Sequence, residues 1–415
     1  MNTLNICMVV HKNYFQDPRV RRYVESLLTT GAKVDVICLS QDSPSRNPGN
    51  ERLRVFTIPV QHADRSKSRY ILEYIYAFFW FFIKLSILQV KNHYHLIHIH
   101  NMPDFLVFSA LLPKLMGSRL ILDIHDPMPE VFTSKYGEHP DNWMFKLISF
   151  QEKISCLFSN SIITVNSKCR SNLIKRGIPE GKISIIHNYP DPLIFNRNAY
   201  PEQKYLPADS FLMIYPGTVA PRYGLEIVIR AMPELKARIP GICLQIVGLK
   251  DGYGDQLQHL ADKLEVASNI QFKPMVPPDQ IPPLLMAADV GIYPALKDIH
   301  MNVATPTKVL EYAAMGIPIV SSKLSMVEEM FGDKAVLFFE PGNVQQFTDC
   351  IVRLYENPEI GKDLVKNMDR IFVMKHSWQN EFQNYTRLLC LLLPKIIHIE
   401  TLQSAGSADK ESAKT

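Results

Sequence analysis

"ATPTKVLEYAAMGIPIV", Ala304 to Val320, holds a helix start, one helix and a buried strand. Thr305 precedes Pro306, which biases its backbone toward extended geometry. The pair predicts an N-cap at Thr305 with Pro306 at the first helical position. Gly316 fits the stop at the other end, and the apolar run after it reads as a strand. A helix start offers free backbone N–H groups and a positive dipole end. Lys308 adds a full charge in the first turn, so the stretch suits a diphosphate. Glu311 follows three residues later on the same face. A carboxylate there can accept two hydrogen bonds from a vicinal diol such as that of a ribose. The plainer reading is an ordinary helix with a lysine and a glutamate on its solvated side.

The same strand–helix unit recurs along the chain. Strand-like runs fall at 4–10, 34–39, 53–58, 96–100, 119–124, 161–165 and 184–187. Amphipathic stretches such as "RVRRYVESLLTTG" separate them, with Gly31 as a helix stop. The pattern breaks near 191–207, a stretch rich in Pro, Asn and charge. It then restarts with runs at 211–215, 242–247, 270–272, 290–293, 317–320 and 336–338. This alternation predicts an α/β protein with two Rossmann-like, doubly wound parallel sheets. The expected domains are 1–195 and 208–370, then a helical segment 371–396 packing back toward the first, and a disordered tail 397–415.

Composition excludes several classes. The net charge of +4 is too small for a nucleic-acid partner. Seven cysteines without a CxxC pair argue against a disulfide framework or a zinc site, and fit a reducing cytoplasm. No strict GxGxxG follows any strand, which weakens an oxidoreductase reading. The segment "YILEYIYAFFWFFIKLSILQVK", Tyr70–Lys91, approaches spanning length. Glu73, Lys84 and Lys91 fall on one narrow line of a helix there. Three readings stay open: a core helix, a helix lying in a bilayer surface, and a span, which would interrupt the αβ pattern. Arg65, Lys67 and Arg69 stand beside it.

A second junction resembles the opening one. "YPGTVAPRYGLEIVIRAM" runs from a strand through Gly217, Thr218 and Arg222 into a helix opening near Gly224. Arg222 can clamp a phosphate with two hydrogen bonds. Two such junctions, each carrying a cation, favour a nucleoside diphosphate.

These residues carry a family resemblance. "YPGTVAPRYGLE", "IVGLKDGYGDQLQHLADKL", "FKPMVPPDQIPPLLMAADVGIYP" and "TPTKVLEYAAMGIPIVSS" resemble the family 4 retaining glycosyltransferases of GT-B fold, in order and spacing. "HIHNMPD", "LILDIHDPMPE" and "IITVNS" fit the first half of that family. The resemblance spans about residues 4–393. It implies two domains facing across a cleft, with the sugar nucleotide held mainly by the second. Arg222 and Lys308 would take the diphosphate, Glu311 the ribose, and Gly217, Thr218, Pro306 and Thr307 would line the donor. It further implies no cofactor beyond the nucleoside-diphosphate sugar as co-substrate and no metal, because cations and helix ends replace it. One departure stands out. The family often carries two glutamates eight residues apart, and here the first position is Val303. Asn302 is its neighbour and offers contacts, as does the backbone from Val303 to Thr307.

In the first half, His125 and Asp126 end an apolar strand, where polar residues of a parallel sheet serve ligands. By resemblance His125 approaches the donor sugar, and Asp126 holds the acceptor or orients His125. The alternative is a structural His–Asp pair. Asn101 and Asp104 end another strand, as acceptor-side residues or as loop caps. Arg19, with Asp17 and Arg22, stands near the first strand's end, either as a helix start with a solvated face or as an acceptor-phosphate site. The expected partner besides the donor is a glycan or lipid-linked acceptor in surface polysaccharide synthesis, reached in the cytoplasm at the inner face of a membrane. Rival readings are a sugar-nucleotide epimerase of the same fold and a non-catalytic nucleotide-sugar-binding protein.

Overall fold

Thirteen apolar runs form two parallel sheets in a computed structural model. It describes residues 3–40, 50–58, 67–136, 142–201, 207, 210–249, 252–373 and 378–396. The tail at 397–415 and Arg65 lie outside the described residues. The first sheet comprises β1 (Asn5–Val10), β2 (Lys33–Leu39), β3 (Leu53–Ile58), β4 (Leu96–His100), β5 (Arg119–Ile124), β6 (Ser161–Thr164) and β7 (Ile183–Ile185). The second comprises β8 (Phe211–Pro216), β9 (Ile242–Leu249), β10 (Ile270–Pro274), β11 (Val290–Tyr293), β12 (Ile319–Ser322) and β13 (Leu337–Phe339). Their orders are β3-β2-β1-β4-β5-β6-β7 and β10-β9-β8-β11-β12-β13. Most of these runs are apolar throughout rather than alternating, as strands covered on both faces must be. Each order reverses once, between β1 and β4 and between β8 and β11. Ligands of doubly wound sheets bind at such reversals, beyond the carboxyl ends of the strands.

The helices of the first half are α1 (Pro18–Thr29), α2 (Lys67–Asn92), α3 (Leu111–Leu115), α4 (Met128–Tyr136), α5 (Trp143–Phe158) and α6 (Ser167–Lys175). Those of the second are α7 (Leu225–Arg238), α8 (Tyr253–Lys263), α9 (Ile281–Met286), α10 (Thr307–Met315), α11 (Ser325–Phe331), α12 (Val344–Glu356), α13 (Pro358–Met368) and α14 (Trp378–Leu392). Two compact units result, Met1–Asn188 with Gln379–Thr415, and Tyr189–Trp378. The second unit takes in chain before residue 208, because Tyr189 is buried in its core and Phe195 and Tyr200 pack against it. It runs past residue 370 because Phe372 belongs to the same core.

Most of α14 belongs to the first unit. The Tyr385 hydroxyl lies 3.0 Å from His98 Nδ1, and the Tyr385 and Tyr23 rings are 4.7 Å apart. Glu381 accepts a hydrogen bond from the His187 backbone N–H at 2.9 Å and lies 3.1 Å from its Nδ1.

Helix α2 is neither wholly core nor wholly free. Ala77, Phe81 and Leu85 are buried in the first unit's core. Leu72, Phe79, Ile83 and Val90 on its outer side are exposed. Length and composition alone would let it cross a membrane, but its inner side is committed to the sheet. A span would strip that side from the core.

Candidate active site

The donor-side residues meet at the β8–β11 reversal. Gly217 leaves β8 with φ +121°, and a Cβ there would come within 2.5 Å of Lys308 Cε. Glycine is therefore what lets the Lys308 side chain lie over the strand end. Its Nζ sits 5.1 Å from the Tyr215 ring centroid and 4.5 Å from that of Tyr223. The Arg222 guanidinium lies 5.2 Å from the same Tyr223 ring. Two cations from separate loops thus share one aromatic surface. Arg222 Nε is buried and has no hydrogen-bond partner among the described residues. A buried donor without an acceptor needs explaining in a native fold, and an anionic ligand supplies one explanation.

The two loops are locked together. Gly224 has φ +66°, and a Cβ on it would stand 2.0 Å from the Pro294 carbonyl oxygen. The Leu296 N–H donates to the Arg222 carbonyl at 2.8 Å. Helix α10 is held across both strands by Tyr312, whose hydroxyl donates toward the carbonyls of Ile214 at 3.3 Å and Ile292 at 3.1 Å. Gly291 makes room for that ring, since a Cβ would meet it at 2.6 Å. The start of α10 therefore lies at the reversal.

The cap differs from expectation. Pro306, not Thr305, occupies the N-cap position, with φ −79° and ψ 74°, and no side chain caps the helix. The reason is a tight turn in which the Thr307 N–H donates to the Thr305 carbonyl at 2.9 Å, after which the Pro306 carbonyl accepts from Leu310 at 3.1 Å. A start without a side-chain cap keeps first-turn N–H groups available to an anion. Glu311 is half-buried, less than one turn from Lys308. Asn302 accepts from the Ser325 hydroxyl at 3.4 Å, and Val303 is 9% exposed. The Thr218 carbonyl accepts from the Tyr215 hydroxyl at 2.9 Å, fixing the loop after Gly217. An open hollow of about 590 Å³, lined by Gly316, Pro318 and Arg370, lies at the opposite end of α10 from Lys308 and belongs to none of this.

On the first unit, Asn101 organises the loop after β5. Its Oδ1 accepts from the backbone N–H groups of His125 at 3.2 Å and Asp126 at 3.4 Å. Its Nδ2 donates to the Asp126 carbonyl at 2.6 Å and to Asp104 Oδ1 at 3.0 Å. Asn101 and Asp104 are buried, so they hold the His125–Asp126 loop from beneath. Burial lowers the His125 pKa below its ordinary value, against the opposing pull of Asp126 and Asp123. Its imidazole is thus neutral near pH 7, and its buried Nδ1 has no hydrogen-bond partner among the described residues.

Arg19 lies inside the domain. Its Nε and Nη2 donate to the two oxygens of Asp123 at 2.8 and 2.9 Å, and both side chains are buried. Arg22 is buried too and donates to Asn188 Oδ1 at 2.5 Å. The solvated face expected for Arg19 and Arg22 is therefore corrected, because both answer acceptors inside the unit, while Arg21 stays on the outer side with Glu25. Asp17 does cap α1, accepting from the Arg19 and Val20 N–H groups at 3.1 and 3.0 Å. His98, His100 and Asp123 stand close enough to share a metal ion. However, the Arg19 guanidinium already engages both oxygens of Asp123, and a cation beside it would meet like charge.

Beneath Asn101, three buried carboxylates share one arginine. Arg176 Nη1 donates to Glu152 at 2.7 Å, and its Nη2 donates to Glu130. Burial pushes Asp104 up to about 7 and Glu152 up to about 8. A carboxyl whose folded pKa exceeds its unfolded value keeps its proton in the native state while the unfolded chain releases it. Stability from Asp104 is therefore lost as pH rises from 3.8 toward about 7. Asp104→Asn keeps the acceptor for Asn101 and removes the titration. The wild type is expected to lose on the order of 2 to 3 kcal/mol more than the variant between about pH 5 and about pH 8 in urea unfolding. Parallel pH profiles would refute this.

Comparison with known proteins gives matches over both units. Residues 196–370 match the family model described as glycosyl transferases group 1, and residues 19–192 match that of glycosyltransferase family 4. An uncharacterized glycosyltransferase of Methanocaldococcus jannaschii is 25% identical over 367 residues, covering 86% of this chain and 89% of its own. A GDP-mannose-dependent alpha-(1-6)-phosphatidylinositol monomannoside mannosyltransferase of Mycolicibacterium smegmatis is 31% identical over 162 residues, 39% of this chain and 40% of its own. Among solved structures, a sucrose-phosphate synthase from Thermosynechococcus elongatus superposes with TM-score 0.74 at 18% identity, over 94% of this chain and 99% of its own. The Anabaena protein HepE, solved with UDP and glucose, gives 0.67 at 15%, over 93% and 99%. At such identities the solved structures speak for the fold alone.

Proposed function

Since this chain belongs to the group 1 glycosyltransferases and has their GT-B fold, we propose that it transfers a hexose from a nucleoside-diphosphate sugar to a glycan or lipid-linked acceptor. Transfer proceeds with retention at the anomeric carbon, in surface polysaccharide synthesis. The observation that carries the donor assignment is the convergence of Lys308, Arg222 and the start of α10 around Gly217 and Tyr223. Departure of a nucleoside diphosphate builds negative charge on its phosphate oxygens. Two fixed cations and a helix N-terminus stabilise that charge more in the transition state than in the bound donor. They supply the positive charge a metal ion would otherwise bring, so the reaction is metal-independent. Glu311 takes the ribose diol, and Asn302 with the Val303–Thr307 backbone contacts the donor. His125 and Asp126 serve the reacting sugar and the acceptor, with Asn101 holding their loop. The acceptor is met at the cytoplasmic face of a membrane, which the exposed side of α2 approaches.

Thermal unfolding of the purified chain with UDP, GDP, ADP and CMP tests the donor reading. One diphosphate is expected to raise the midpoint, because a ligand bound only to the native state stabilises it by mass action. Incubation of that base's sugar conjugates with candidate acceptors then identifies the product, which EDTA should leave unchanged. No shift with any nucleotide at millimolar concentration would remove the reading.

A further inference from the structure

A helix that covers a sheet normally turns its polar side outward. Two helices of the first unit do the opposite. On α2, Leu72, Phe79, Ile83 and Val90 are exposed. At 100° per residue they fall within a strip about 40° wide. On α5, Trp143, Leu147, Phe150 and Leu157 are exposed, and the same count puts them within a broader strip of about 80°. Both helices send their other side into the core of this unit, through Phe81 and Leu85 of α2 and Cys156 of α5.

The two stripes flank one segment. The 3-10 stretch Asp104–Ala110 runs into α3 between them. Its Phe105 ring lies 6.0 Å from that of Phe78 on α2, and its Phe108 ring 5.0 Å from that of Phe158 on α5. Leu115 of α3, 76% exposed, adds to the apolar surface. Large apolar side chains exposed in rows on neighbouring helices mark an interaction surface rather than chance exposure.

Charge selects the partner. Among the described side chains, α2, α3 and α5 hold Lys84, Lys91, Lys114, Lys146 and Lys153 against Glu73 and Glu152. Glu152 is fully buried and paired with Arg176. Lys91 and Lys146 are exposed. Two copies related by a two-fold axis would bring such a face against itself, lysine toward lysine, with hardly a carboxylate to answer. A surface of anionic headgroups over hydrocarbon answers both the charge and the apolar stripes.

We propose that α2, α3 and α5 form a face by which this protein sits on an anionic phospholipid bilayer. The helices lie in the plane of the interface, since their inner sides belong to the sheet's core and an open sheet cannot enter hydrocarbon. The face deepens the reading of a lipid-linked acceptor, which it would bring within reach, yet its lipid binding is measurable without any turnover.

The test is flotation of the full chain with vesicles of phosphatidylcholine alone and of phosphatidylcholine with phosphatidylglycerol. The wild type is expected to float with the anionic vesicles, and less so as salt rises. Phe79→Ser/Ile83→Ser and Trp143→Ser/Phe150→Ser are each expected to weaken binding by about tenfold or more. Both pairs are exposed, so the thermal midpoint and the nucleotide-induced shift should stay as in the wild type. That separates failure of this face from failure of the donor reading. Wild type that ignores anionic vesicles, or variants that bind as well as it does, would overturn the proposal. Equal binding to phosphatidylcholine alone would overturn its anionic part. Dimers that dissociate in the variants, without any lipid effect, would assign the face to a second copy instead.

Discussion

Lys308→Ala is expected to lower kcat/KM by about 10²- to 10³-fold, the loss seen when one preorganised charge-stabilising group is removed from a transition state. The structure gives two reasons to place the effect here. Lys308 is aimed by its surroundings, with its stem over Gly217 and its Nζ 4.5 Å from the Tyr223 ring. It also stands in the first turn of α10, where no side-chain cap competes for an anion. The variant should also lose the thermal shift that the wild type shows with its nucleoside diphosphate. Its stability without ligand should change little, because the lysine is only half-buried and carries no ion pair among the described residues. Steady-state kinetics over a donor series decides the matter. A kcat/KM within about threefold of wild type, with donor saturable, would take Lys308 out of the diphosphate site.

Arg19→Ala is expected to destabilise the first unit by roughly 3 to 5 kcal/mol. The cost comes from Asp123, left as a buried carboxylate without its guanidinium. Burial alone would push Asp123 upward, yet Arg19 and His100 hold it well below the usual carboxylate range. Its contribution is therefore present above 3.8 and lost as pH falls through the folded value. Burial likewise holds His98 well below 6.5, so it resists protonation in the native state and subtracts stability as pH falls below 6.5. Arg19→Ala should thus unfold at lower urea near neutral pH and show a shallower acid limb than the wild type. Arg19→Met/Asp123→Leu removes both charges together and should recover most of the loss. A single variant within about 1 kcal/mol of wild type would show that the pair contributes little.

Much of the fold was readable because its signal is local. Each strand is an apolar run bounded by turn residues, and all thirteen runs fall within a few residues of their observed positions. Gly316, at φ +71°, ends α10 where the sequence places a stop. Lys308 and Arg222 could be named because each follows a strand in a recognisable loop. Their meeting on the Tyr223 ring could not, since no local pattern relates loops so far apart in the chain. Asn101 was named as an acceptor-side residue or a loop cap, and its visible contacts hold the loop of His125 and Asp126. Thr305 was misplaced because Thr-Pro reads as a cap from sequence, and only the turn back to its own carbonyl shows otherwise.

The amino-acid sequence by itself determined the two parallel sheets, their helices and the cationic junctions, because periodicity, turn chemistry and helix ends act over a few residues. Tertiary structure alone decided which side of α2 and α5 meets the core, that Arg19 answers Asp123 rather than solvent, and that Gly217 lies under Lys308. Those depend on what packs against each side chain, and an apolar residue reads the same in a sequence whether a sheet or solvent stands beside it.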